Sequence, residues 1–134
     1  MLVVVDADRL ARVETEAALV RRFEPDYRVV SADSSTTGLA VLERLSSDGE
    51  DVALIAADLR LPGMDGVAFL ERAQELHRDA GRVLLLAMDR YHTRIPFTEL
   101  ATLQRATALG RIDFWVVKGW VTPEEWLYPQ VQER

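Results

Sequence analysis

Three charged residues stand where apolar, strand-forming runs stop. Asp6 follows Leu2-Val3-Val4-Val5, Asp58 follows Val52-Ala53-Leu54-Ile55-Ala56-Ala57, and Lys118 follows Ile112-Asp113-Phe114-Trp115-Val116-Val117. In an open parallel sheet the carboxyl ends of the strands frame the ligand crevice, so two carboxylates and an ammonium could meet in one pocket. Taken singly, each could equally be a solvated loop residue; their common placement argues for a site. Lys118 is the only lysine among 16 basic residues. With arginine everywhere else, a lysine here suggests a need for a compact ammonium over a planar guanidinium. Asp58 also opens the string Asp58-Leu59-Arg60-Leu61-Pro62-Gly63-Met64-Asp65-Gly66, in which Pro62-Gly63 demands a turn and Gly66 lets the next helix begin.

Short β-branched runs alternating with longer segments of helical period must position these residues, and that alternation is the pattern of βαβ units. Five strands are expected, over residues 2–5, 27–31, 52–57, 82–87 and 112–117. Leu10, Val13, Ala17 and Val20 share one face of a first helix, which Asp8 is placed to cap. Leu39 and Leu42 anchor a second helix, and Val67, Leu70 and Ala73 line a third. After a loop over residues 90–97, Thr98 is expected to cap a fourth helix through Leu100, Leu103 and Ala106, ended by Gly110. Thr122-Pro123-Glu124-Glu125 has the cap threonine, first-turn proline and glutamate of a last helix start. The middle strand is apolar on both faces, as a strand covered from both sides must be. The expected fold is α/β: a doubly wound, five-stranded parallel sheet with helices on both faces, one domain over residues 1–134. With only five residues left after Pro129, the chain reads as the N-terminal part of a longer protein.

Composition narrows the function classes. At 134 residues the chain suits one core, and 49% apolar with 28% charged residues is the balance of a globular protein. A net charge of −6 argues against direct nucleic-acid binding, which needs a clustered basic face. No cysteine occurs, which removes disulfides, thiolate metal sites and thiol chemistry. The apolar runs are too short to span a membrane and no charged leader precedes the first strand, so the chain is placed in the cytoplasm with no membrane partner. His77 and His92 have no acid, cysteine or second histidine at ligand spacing and read as surface or loop residues. Neither a Gly-x-Gly-x-x-Gly nor a Walker string is present, and the isolated domain is read as not an enzyme.

Val4-Val5-Asp6, Ala57-Asp58-Leu59 through Gly66, and Val116-Val117-Lys118 together resemble the receiver domain of bacterial response regulators, over essentially the whole chain. The resemblance implies that Asp58 takes a phosphoryl group from the phosphohistidine of a partner kinase. It implies magnesium held by Asp6, Asp58 and the backbone carbonyl of Arg60, with Lys118 pairing with a phosphoryl oxygen. Its switch positions fall at Leu86 and Trp115. A narrower likeness, carried by residues 27–34, 82–86 and 118–129, is to the receiver module fused ahead of thioredoxin-reductase-like flavoproteins. The implied partners are a sensor histidine kinase or a fused or downstream domain, with a homodimer as a further arrangement.

Three departures touch mechanism. The family's second acidic residue is Ala7 here, with Asp8 only a weak substitute ligand. Its phosphoryl-sensing hydroxyl falls on Leu86, which has no hydrogen bond to offer. Its lysine precedes proline, whereas Lys118 precedes Gly119. A cis bond to a residue other than proline costs ~2.5–4 kcal/mol, so a trans peptide and a less constrained lysine are expected. The pocket therefore reads as incomplete, with weakened support for magnesium. Two uses of such a domain stay open: a genuine magnesium-dependent phosphoacceptor of a phosphorelay, and an interaction module that works without phosphorylation.

Overall fold

Runs of valine, leucine and isoleucine bury both faces only when strands pair side by side with helices packed above and below. The computed structural model describes residues 1–23, 26–86 and 97–117. Within them the order is β1 (Leu2–Val5), α1 (Arg9–Phe23), β2 (Val29–Ala32), α2 (Ser35–Ser47), β3 (Leu54–Asp58), α3 (Gly66–Leu76), β4 (Gly81–Leu86), α4 (Phe97–Ala108) and β5 (Phe114–Val117). All strand pairs are parallel, in the order β2-β1-β3-β4-β5. This is the expected doubly wound five-stranded sheet. The last expected helix, from Thr122, lies outside the described residues, as does the loop through Arg90 and His92.

Strand alternation divides the core in two. Val3, Val5, Ile55, Ala57, Leu84 and Leu86 face α2, α3 and α4, packing with Leu42, Phe69, Leu70, Leu103 and Ala106. Leu2, Val4, Leu54, Ala56, Val83 and Leu85 face the other way, against Leu19 and Phe23 of α1. The third helix buries Val67, Leu70 and Ala73, and the second buries Leu42, as expected. The face expected of the first helix is corrected. Leu10 and Val13 are 71% and 50% exposed, and the buried residues of α1 are Thr15, Ala18, Leu19 and Phe23. The helix turns its later half to the sheet, which leaves Leu10 and Val13 near its start exposed.

Two further expectations change. Thr98 is the second residue of α4 and Phe97 the first, while Gly110, at φ +74°, takes the left-handed conformation that ends the helix. His77 is not at the surface. It caps the C-terminus of α3, is buried, and its Nε2 lies 2.8 Å from the Leu42 carbonyl of α2. A carbonyl only accepts, so Nε2 is the protonated nitrogen and the ring ties α3 to α2.

Arg82 of β4 is buried beneath the α4–β5 turn. Its guanidinium donates to the Arg111 and Gly110 carbonyls at 2.7 Å each and to Gln74 Oε1 at 3.1 Å. Its amide donates to Asp113 Oδ2 at 2.7 Å. A fixed cation thus satisfies two carbonyls of the turn that follows α4, close to the helix C-terminus, where the dipole favours positive charge.

At the other end of the sheet α3 starts in contact with β3. A Cβ on Gly66 would collide with the Asp58 carbonyl oxygen and lie 2.7 Å from Leu84 Cδ1. Two stability measurements follow. Arg82→Ala removes three part-buried hydrogen bonds together with the packing of a buried side chain and is expected to lower urea stability by about 1–3 kcal/mol; a loss below about 0.5 kcal/mol would show the network to be incidental. Gly66→Ala presses a methyl onto backbone that cannot swing aside and is expected to cost about 1–3 kcal/mol, with amide shifts centred on Asp58 and Leu59.

Candidate functional site

The site begins with register. Val5 pairs with Ala57, so Asp6, just past the end of β1, and Asp58, the last residue of β3, each follow a paired residue, on strands that run about 4.8 Å apart in a sheet. β1 is also where the winding reverses: the connection to β2 passes over one face through α1, and the connection to β3 passes over the other through α2. The crevice at such a reversal is where open α/β sheets bind ligands. Asp58 is the last residue of β3 and 6% exposed; Asp6 is fully buried.

Backbone donors hold both carboxylates. Asp58 Oδ1 accepts from the Arg60 amide at 3.0 Å, and Asp6 Oδ1 accepts from the Asp8 amide at 2.9 Å. The Asp6 amide donates to the Ala32 carbonyl at 3.0 Å. Arg12, in the first turn of α1, donates to the Asp6 carbonyl at 2.8 Å, a clamp with no signal in sequence because it depends on how α1 leaves the sheet. The loop after Asp58 is closed at its base by Leu59 N–H to Leu85 carbonyl, 2.8 Å, and Gly66 N–H to Leu59 carbonyl, 2.7 Å. Gly63 takes φ +92°, as the turn at Pro62-Gly63 requires, and Asp65 caps α3 by accepting from the Ala68 amide.

Asp8 does not join the pair. Its Oδ1 accepts from the Leu10 and Ala11 amides at 3.0 and 3.3 Å, the cap expected for the first helix. Ala7 is exposed and brings no ligand atom beyond its backbone. Among the described residues no group of three His, Cys, Asp or Glu could hold a metal ion. Two carboxylates remain, Asp6 and Asp58, with Arg60 following in the loop. Leu86 packs in the core cluster on the α2–α4 side, whereas strand alternation puts Asp58 on the side of Leu54 and Ala56. Leu86 therefore does not lie on the same face as Asp58. The switch position expected at Leu86 is one residue out of phase with the pleat that carries Asp58, which pairs with Leu85. Trp115 is half-buried, pairs with Leu84 in register, and packs on that same α2–α4 cluster. β5 ends at Val117, paired with Leu86; Lys118 and Gly119 lie outside the described residues.

No protein-family model matches the sequence, and no curated protein matches it. Solved structures do resemble the fold. One is an adenylate cyclase from Rhodopirellula baltica, with TM-score 0.75 and 17% identity over 98% of this chain and 84% of that one. A CheY-like response regulator receiver domain protein from Methanospirillum hungatei JF-1 gives 0.69 and 23% over 98% and 90%. A response regulator protein from Burkholderia pseudomallei, described with a phosphorylated aspartic acid, calcium ion and citrate, gives 0.71 and 21% over 98% and 68%. Among the described residues no helix is long and apolar enough to cross a membrane. Strand order, crossover and structural likeness agree: the chain has the fold of response-regulator receiver domains.

Proposed function

We propose that the chain is a receiver-type signalling domain in which Asp58 is the phosphoacceptor of a reduced, two-carboxylate pocket. The observation that carries this reading is the β1–β3 register, which sets buried Asp6 beside buried Asp58 at the crossover crevice. In transfer from a sensor kinase, an Asp58 carboxylate oxygen forms a P–O bond as the P–N bond of phosphohistidine breaks. The electron pair stays with the imidazole, which takes up a proton, and the product is an acyl phosphate. The Arg60 amide orients the nucleophile by engaging Oδ1, and Lys118, directly after β5, pairs with a phosphoryl oxygen.

Two hard carboxylate oxygens suit magnesium, which keeps several waters and commonly takes one or two carboxylates. Asp6, Asp58 and the Arg60 carbonyl would hold it. When bound, it neutralises charge on the phosphoryl oxygens. The described B. pseudomallei relative, with its phosphorylated aspartate and calcium, supports the same use of this fold. Input comes from a histidine kinase upstream, and output passes to a fused or downstream domain, of which a thioredoxin-reductase-like enzyme is one form. The isolated domain turns over no substrate.

A second reading is favoured by Ala7 and by the Asp8 carboxylate being given to the α1 amides: the domain binds its partner without phosphorylation. Acetyl phosphate with magnesium separates the two. Under the first reading Asp58 gains a phosphoryl mass that Asp58→Asn abolishes, and the Arg60 amide shifts on magnesium titration; wild type showing neither sinks it. Under the second, Asp58→Asn leaves partner binding unchanged. Restoring the absent carboxylate tests the reduced pocket from the other side. Ala7→Asp is expected to tighten magnesium by roughly tenfold or more, and unchanged affinity would place the ion away from the Asp6–Asp58 edge.

A further inference from the structure

We infer that Ser35 is a positioning residue for the Asp58 pocket, acting through the apex of the loop that carries Arg60; the inference rests on the reading of Asp58 as phosphoacceptor. Ser35 is the first residue of α2 and 2% exposed. Its Oγ donates to the Pro62 carbonyl at 2.7 Å, and its amide approaches the same oxygen at 3.4 Å. A Cβ on the next residue, Gly63, would lie 2.9 Å from Ser35 Oγ. The positive φ of Gly63 and the absence of a side chain there are thus what let the turn settle on the serine.

The hydroxyl is not needed by its own helix. Ser34 is the N-cap of α2, accepting from the Thr37 amide at 3.1 Å, so the Ser35 hydroxyl is left to serve the loop. That loop is pinned at its base by Leu59 and Gly66. Between base and apex runs Arg60, whose amide holds the Asp58 carboxylate. A short loop fixed at base and apex has little freedom left at the residue between, so the Ser35–Pro62 bond sets how firmly the Arg60 amide and carbonyl are presented. Without it Leu61 and Pro62 lift, and the orientation of the nucleophile relaxes. The two serines, adjacent in sequence, divide their work: one caps the helix, and the other braces the reactive loop.

Beryllofluoride titration with magnesium, followed at the Arg60 amide, tests this. Loss of this part-buried hydrogen bond is worth roughly fivefold where binding must restore the loop order that the bond supplies, so Ser35→Ala is expected to raise half-saturation severalfold, up to about fivefold. Ser35→Cys, with a weaker donor of similar size, should fall between it and wild type and covers the case in which the alanine variant does not fold. Ser34→Ala is the stability control: its urea midpoint falls by cap loss while its half-saturation stays at the wild-type value. Equal half-saturation for wild type and Ser35→Ala overturns the inference and leaves Asp58 its role. An equal rise in Ser34→Ala also overturns it, by assigning the effect to α2 stability. No beryllofluoride uptake by wild type overturns the functional reading and this inference with it.

Discussion

The parallel register of β1 and β3 is the constraint from which the rest of the site follows. Because Val5 lies against Ala57, the next residue on each strand is an aspartate, and both are buried where the sheet's winding reverses. Neighbouring ionised carboxylates repel and lose hydration, so such a pair persists only with compensating donors or cations around it. The structure supplies amides from Asp8 and Arg60. A slip of one residue in either strand would turn one aspartate to the opposite face, since side chains alternate with a period of two.

Supporting the register requires the apolar residues on both sides of β3 and the close seating of α3. Gly66 brings the start of that helix against the Asp58 carbonyl, and Gly38 lets Phe69 approach α2 within van der Waals contact. At the far side of the sheet Arg82 fixes the α4–β5 turn to β4, which helps hold β5, the strand leading to Lys118. The pocket thus draws on packing far from its own side chains. Its reduced donor set is local by contrast: Ala7 offers no carboxylate, and Asp8 spends its own on helix α1.

The errors of sequence reading are instructive because each has a geometric cause. Helical spacing marked Leu10, Val13, Ala17 and Val20 as one stripe, but which stripe a helix buries depends on where it crosses the sheet, and α1 buries Ala18, Leu19 and Phe23 instead. His77 has no ligand-like neighbours along the chain, and its partner, the Leu42 carbonyl, is 35 residues away. Leu86 failed on pleat phase, which a run of consecutive leucines cannot disclose. Ser35 and Arg12 went unnoticed because their bonds reach a backbone carbonyl across a loop or from another element, and no spacing rule records such contacts.

What the sequence by itself determined was the order and type of the elements, the turn at Pro62-Gly63, the cap at Asp8 and the placing of Asp6 and Asp58 at strand ends. These depend on local propensity and on periodic burial, which neighbouring residues already encode. Tertiary structure alone decided that β3 lies beside β1, which helix faces meet the core, and that the Asp58 loop leans on Ser35. Those outcomes depend on pairing register and on hydrogen bonds between residues far apart in the chain, and such contacts exist only once the sheet has closed around its two cores.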